Sequence, residues 1–226
     1  MSKPLRLFVE ETPKKVFVSA LDWPGLARGG KTEDLAVESL VAHLPRYAKV
    51  AHKAGERFDP HEFDIEVVCR TEGDSGSAYG IPSLVATEDR EPVDAREAKR
   101  IASLVKASWD VFDAIAKKAP ESLRKGPRGG GRDRSKIVEH VTLSDGGYAR
   151  SMGIKGDPET PDGLAAIRAA VLEVLGAPSD GGPIADRKWP PRYAARRVAW
   201  HALDHAWEIE DRTDHAWEIE DRTDHD

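Results

Sequence analysis

The chain has 226 residues, a formal net charge of −6 and an apolar fraction of 39% that includes six tryptophans. This length can bury the cores of one or two domains, whereas the acidic balance argues against a general nucleic-acid-binding surface. The single cysteine, Cys69, excludes an intramolecular disulfide framework and a zinc ribbon. Because no apolar run approaches the roughly 18 residues of a membrane span and no signal-peptide pattern opens the chain, we expect a cytoplasmic protein with neither a membrane nor a nucleic acid as partner.

Residues 1–72 predict a small α+β domain. Apolar residues alternate along residues 5–9 and again along residues 16–20, which indicates a β-hairpin. Gly29 and Gly30 then predict a loop, and the helix that follows opens on acidic residues that suit its N-terminus. A third alternating run at residues 63–69 predicts one more strand. The predicted order is strand, strand, helix, strand.

The N-terminal residues resemble a known family. Residues 16–25 (Val-Phe-Val-Ser-Ala-Leu-Asp-Trp-Pro-Gly), followed by Gly30 and by residues 32–36 (Thr-Glu-Asp-Leu-Ala), are similar to the HicB-like antitoxin domain over about residues 5–70. In toxin–antitoxin systems such a domain neutralises a small RNase. Since no ribbon or helix-turn-helix segment follows here, we favour a structural or oligomerising module that packs against the rest of the chain or a second subunit.

Two stretches rich in turn-forming residues predict connections. Residues 73–92 contain many Gly, Ser, Pro, Asp and Glu residues, which is typical of a linker. Residues 124–136 form a basic, glycine-rich stretch. It could hold an anionic group of a substrate or cofactor, but three consecutive glycines favour a solvated connection without a fixed shape.

Residues 93–213 predict four amphipathic helices. Asp94 and Glu97 predict a capping box at the start of the first helix, and Thr160 with Pro161 predicts the capped start of the third. The second helix is predicted over about residues 134–152, although two adjacent glycines weaken its middle. The fourth helix follows two consecutive prolines. Long first and third connections then favour a four-helix bundle.

Three histidines are predicted to face the interior of this bundle. His201 and His205 lie four residues apart on the apolar side of the last helix, where both imidazoles can reach one ion. His140 shares the inner face of the second helix. A single inward pair is more often a hydrogen-bonded core feature than a metal site, whereas three histidines leave an open coordination position, as in catalytic zinc sites. The charged residues of the last helix largely occupy its other sides, namely Arg196, Arg197, Asp204, Glu208 and Glu210.

The C-terminal residues also resemble a known family. Residues 137–141 (Ile-Val-Glu-His-Val) with Tyr148, and residues 196–208 (Arg-Arg-Val-Ala-Trp-His-Ala-Leu-Asp-His-Ala-Trp-Glu), are similar to the DinB/YfiT-like family over about residues 93–213. The resemblance implies a DinB-like four-helix bundle, with a metal triad carried over onto residues 140, 201 and 205. It also implies a divalent ion, zinc or nickel, and chemistry that uses low-molecular-weight thiols such as bacillithiol, mycothiol or glutathione.

The predicted function is therefore that of a divalent-metal-dependent enzyme with a small-molecule substrate. A bound ion lowers the pKa of a thiol or of water, which suits either a thiol-dependent S-transferase or a hydrolase. No catalytic residue is assigned, because Glu139 and Asp204 point away from the inner face of an ideal helix. The alternative is a non-catalytic binding module, in which the HicB-like domain carries the interaction and the metal site is vestigial. Either protein could form a homodimer.

The C-terminus contains an exact ten-residue repeat. Residues 204–213 recur as residues 214–223, and the chain ends at Asp226. A shift of ten residues rotates the second copy by about 80° on a helix. His215 and His225 therefore cannot continue the predicted inward stripe, and we expect residues 214–226 to form an extension without a role in the site.

Overall fold

The structure, a computed structural model, describes residues 3–125 and 131–213, so the repeated extension lies outside the described residues. Within these ranges the chain is α+β, as predicted, with one four-stranded sheet and seven α-helices. The strands are β1 (Lys3–Glu11), β2 (Val16–Ala20), β3 (Ala27–Gly30) and β4 (Phe63–Glu72). The helices are α1 (Glu33–Ala42), α2 (Leu44–Lys53), α3 (Ser75–Tyr79), α4 (Ala95–Lys118), α5 (Arg134–Ser151), α6 (Pro161–Leu175) and α7 (Pro191–Arg212).

The sheet has the strand order β3-β2-β1-β4. β1 and β2 pair antiparallel, which confirms the predicted hairpin, and β4 lies parallel to β1 on its other side. Parallel neighbours need a crossover connection, which α1 and α2 supply between β2 and β4. Leu5, Leu7 and Val9 of β1 are fully buried and share one core with Leu40 of α1 and Tyr47 of α2.

The predicted loop at Gly29 and Gly30 is wrong, because these residues form the short strand β3 beside β2. A Cβ atom on Gly30 would lie 2.4 Å from the backbone nitrogen of Ala36. Only glycine lets α1 pack this closely against the strand. Two residues without side chains carry no alternation of apolar and polar character, so the sequence pattern could not reveal a strand there.

The four long helices form a ring, in which α4 and α5 each pack against both α6 and α7. The predicted starts of α4 and α6 are confirmed, since Asp94 and Thr160 accept hydrogen bonds from the backbone of their first turns. Gly146 in the middle of α5 gives room for Pro158, because a Cβ atom there would lie 2.7 Å from the proline ring. None of the described helices has the length and apolar character needed to cross a membrane.

Residues 73–92, predicted as a linker, pack between the sheet and α7. The Glu10 carboxylate of β1 accepts hydrogen bonds from the Ser77 hydroxyl of α3 and from the Ser83 backbone nitrogen, the latter at 3.2 Å. The Tyr193 hydroxyl of α7 donates to the Ser83 carbonyl oxygen at 2.9 Å. The turn-rich composition therefore marks an irregular segment that is nevertheless fixed on both sides.

A buried ion pair joins the same segment to α7. The Arg196 guanidinium donates to both carboxylate oxygens of Asp89, with 2.9 Å between Nε and Oδ1. Asp89 also accepts from the backbone nitrogen of Ala86 at 2.8 Å. The two charged residues are 2% and 1% exposed, so each ion depends on the other for its stabilisation.

The sheet itself also packs against α7. Arg28 of β3 donates to Asp204 at 2.7 Å, and its guanidinium carbon lies 4.4 Å from the ring centroid of Trp207. Phe17 of β2 meets Trp200 edge to face at 5.8 Å. One face of α7 thus belongs to the sheet while another faces α4 and α5.

We predict that Asp89→Ala lowers the free energy of unfolding by about 3–5 kcal/mol, because it leaves Arg196 buried without a counter-charge. Urea denaturation followed by tryptophan fluorescence measures this change. Glu139→Ala is the matched control, since it breaks only the exposed ion pair with Lys136 and should cost less than about 0.5 kcal/mol. Equal losses from the two variants would show that the ion pair does not hold residues 73–92 to α7.

Candidate metal centre

The three predicted histidines meet between α5 and α7. His201 and His205 lie one turn apart on α7, and His140 reaches them from α5. One potential ligand atom from each ring lies within 4.8 Å of the other two. His201 is 6% exposed, whereas His140 and His205 are half-buried. The cluster is therefore closed to solvent at His201 and more accessible at His140 and His205.

The spacing of the rings is close to that of a metal site. The Nε2 atoms of His140 and His201 are 3.1 Å apart, and the three ring centroids are separated by 4.7–5.0 Å. Two nitrogens bound to one tetrahedral zinc ion at 2.0–2.1 Å would lie roughly 3.3 Å apart.

Burial keeps two of these rings neutral. Loss of solvent is the main cause that lowers the pKa of His201 to about 2, with His205, His140, Arg197 and Arg132 adding to it. Burial is also the main cause that lowers the pKa of His140, and the neighbouring His205 ring adds to it. Only a neutral imidazole can donate its lone pair to a metal, so both rings are ready to ligate at neutral pH.

Glu208 orients His205. Its carboxylate accepts from the Nδ1 atom of His205 at 2.8 Å, and Arg212 donates to the other carboxylate oxygen at 2.7 Å. The hydrogen bond to His205 is the main cause that lowers the pKa of Glu208, so the carboxylate stays ionised. With its proton on Nδ1, His205 presents the Nε2 lone pair to the cluster. A carboxylate behind a ligating histidine is the usual support of a metal site.

The helical pattern of the sequence places Glu208 on the polar side of α7 and does not reveal this role. A spacing of three residues from His205 and four from Arg212 was the available signal, since side chains so spaced on a helix are neighbours. Glu139 and Asp204, to which no role was assigned, lie outside the cluster. Glu139 pairs with Lys136, and Asp204 pairs with Arg28.

Aromatic side chains line the cluster on the His201 side. The Tyr148 ring lies 5.4 Å from the His201 ring, edge to face, and Trp189 lies 5.6 Å beyond Tyr148. The Arg197 guanidinium lies over Tyr148 and beside Trp200. This side of the site is therefore apolar and carries one positive charge.

The donor set fits a divalent transition metal. Three imidazole nitrogens suit zinc or nickel and leave a position for water or substrate. The Nε2 atom of His201, which faces His140, is the nitrogen placed to bind such an ion, while its buried Nδ1 atom has no hydrogen-bond partner in the part of the chain that the structure describes. The ring is thus held by packing and by the contact of its Nε2 atom with His140, at the point where an ion would bind.

Comparisons with protein-family models, with curated proteins and with solved structures give no match to this chain. What the cluster can do therefore follows from its own donor atoms, charges and surroundings.

We predict that Glu208→Gln weakens zinc binding by about 10- to 100-fold, because a neutral amide supports the His205 ring less well than a carboxylate. Competition with a chromogenic chelator measures the dissociation constant. Glu210→Gln is the matched control on the same helix, where Glu210 pairs with Arg46 instead, and it should leave the affinity unchanged. Unchanged affinity in both variants would remove Glu208 from the site.

Proposed function

We propose that this chain is a divalent-metal-dependent enzyme of the DinB-like type, with a HicB-like domain ahead of a DinB-like four-helix bundle. The observation that carries the proposal is the meeting of His140, His201 and His205, with Glu208 behind His205. A core histidine with only a structural task needs neither two further histidines nor a carboxylate aligned in this way. Zinc or nickel fits the three nitrogens.

Transfer of a thiol group is the reaction that the surroundings favour. A divalent ion bound by these histidines lowers the pKa of a thiol or of water to near neutrality. Activation of water for hydrolysis gains from a free carboxylate or imidazole that accepts its proton. Glu208, the carboxylate that contacts the cluster, is already engaged by His205 and Arg212. A low-molecular-weight thiol is far more acidic than water before it meets the ion, so it depends less on such a base to ionise.

In this reaction the protein binds the ion, orients the ligating rings and shields the site from water. The histidines hold the ion, and Glu208 fixes the proton of His205 on the nitrogen that faces away from the centre. Tyr148 and Trp189 exclude water from the His201 side, which strengthens charge interactions there. The HicB-like domain has a structural task in this proposal, because its sheet packs on α7 through Arg28. The substrate is a small molecule, and a homodimer is compatible with this arrangement.

We predict that the purified protein binds about one zinc or nickel ion per chain and that His140→Ala, His201→Ala and His205→Ala each lose most of this affinity. His61→Ala is the control, since this exposed residue lies outside the cluster, and it should bind metal like the wild-type protein. Metal analysis and calorimetric titration measure both quantities.

The pH dependence of binding gives a second readout of the same prediction. Protons compete for the rings of His140 and His201 only below the ordinary histidine range near 6.5, because burial lowers the pKa of both. Zinc affinity should therefore hold steady above about pH 6.5 and fall as the pH drops below it.

Equal loss of zinc affinity from all four histidine substitutions would indicate adventitious surface binding. A wild-type protein that gains no metal and no thermal stability from zinc or nickel would instead support the non-catalytic binding module.

A further inference from the structure

Arg197 differs from the other arginines of α7 because it has no acceptor. Arg192 donates to Glu97, Arg196 to Asp89 and Arg212 to Glu208. Within residues 3–125 and 131–213, no carboxylate or carbonyl oxygen accepts a hydrogen bond from the Arg197 guanidinium, and its Nη1 atom is buried. Arg192, Arg196 and Arg212 each also leave one buried nitrogen unpaired, but Arg197 alone among these four donates to no oxygen of the described residues, so its guanidinium is available to a partner from outside the chain.

Arg197 lies beside the metal centre. Arg197 precedes His201 by one helical turn and therefore projects from the same side of α7. Its guanidinium carbon lies 5.2 Å from the Tyr148 ring centroid and 5.0 Å from that of Trp200, and Tyr148 in turn touches His201. The two rings hold the guanidinium in place beside the site without neutralising its charge.

The electrostatic surroundings favour an anion at this place. Arg132, two residues before α5, adds a second positive charge that acts on both His140 and His201. The Glu208 carboxylate does not pair with Arg197, because it is held by His205 and Arg212. A planar guanidinium with free N–H groups matches a carboxylate or phosphate in a bidentate arrangement.

We propose that Arg197 binds the anionic group of the substrate, a small thiol that carries a carboxylate and whose sulfur occupies the open position beside the three histidines. This inference rests on the proposed function and adds the substrate class. The carboxylate supplies the acceptor that the Arg197 guanidinium lacks, and Tyr148 lies under the carbon chain between carboxylate and sulfur. Arg197 is thus a specificity residue, which selects acidic thiols over neutral ones.

Thiol binding to the cobalt-loaded protein tests this inference. Cobalt(II) replaces zinc in histidine sites, and an ionised thiol bound to it gives a thiolate-to-cobalt charge-transfer absorption. The probes are 3-mercaptopropionate, 4-mercaptobutyrate and 5-mercaptopentanoate, each compared with its primary amide, so that several chain lengths are covered. For at least one length, the wild-type protein should bind the acid about tenfold or more tightly than the amide, because a charge-assisted hydrogen bond is gained.

Substitution of Arg197 should remove this preference alone. Arg197→Gln should bind acid and amide equally, with the affinity for the amide and the cobalt content unchanged. Arg197→Lys keeps the charge and should retain part of the preference. Arg57→Gln is the matched control, because it removes an exposed arginine that pairs with Glu62, and it should behave like the wild-type protein.

Each remaining outcome counts against a different claim. If the absorption appears but every acid binds like its amide, or if Arg197→Gln keeps the full preference, the role of Arg197 is wrong and the metal centre stands. If neither acids nor amides give the absorption, thiols do not reach the centre, and both the proposed thiol transfer and the role of Arg197 are wrong.

Discussion

Burial of the His201 ring between α5 and α7 is the constraint on which the candidate site depends. Loss of solvent holds this imidazole neutral, and the same packing sets its Nε2 atom 3.1 Å from that of His140. A charged imidazolium at this place would repel a metal ion and would have no lone pair to offer it. The apolar face of α7 therefore does two things at once, since it completes the core of the four-helix ring and keeps a lone pair available.

Helix α7 also joins the two parts of the molecule. The face away from α5 carries Asp204, which pairs with Arg28 of β3, and Arg196, which pairs with Asp89. A Cβ atom on Gly25 would lie 2.7 Å from the Leu203 side chain, so the turn after β2 also depends on close contact with this helix. Because these contacts and the histidines share one rigid helix, the sheet and residues 73–92 help to fix the position of the site.

Periodicity predicted the features that depend on apolar patterns. The spacing of four between His201 and His205 placed both rings on one face, and the inner face of α5 supplied His140, as the structure has it. The relation of Glu208 to His205 was not predicted, because a long carboxylate side chain can reach back along a helix from a position that the helical pattern assigns to another side.

Other features of the fold have no periodic pattern of apolar residues in the sequence. The strand at Gly29 and Gly30 has no side chains that alternate, and the backbone of α1 at Ala36 lies directly against Gly30. The composition of residues 73–92 indicates turns, but hydrogen bonds such as that from Tyr193 to Ser83 are formed with residues distant in sequence. Arg196 lies on the polar side of α7 by the same pattern, yet it is buried because Asp89 neutralises it.

Anomalous X-ray scattering from crystals of the zinc- or nickel-loaded protein, recorded on both sides of the absorption edge of the metal, tests the central claim most directly. The account predicts one dominant anomalous peak about 2.0–2.1 Å from one ring nitrogen each of His140, His201 and His205. A dominant peak at any other histidine, or no peak between α5 and α7 in metal-saturated crystals, would contradict it.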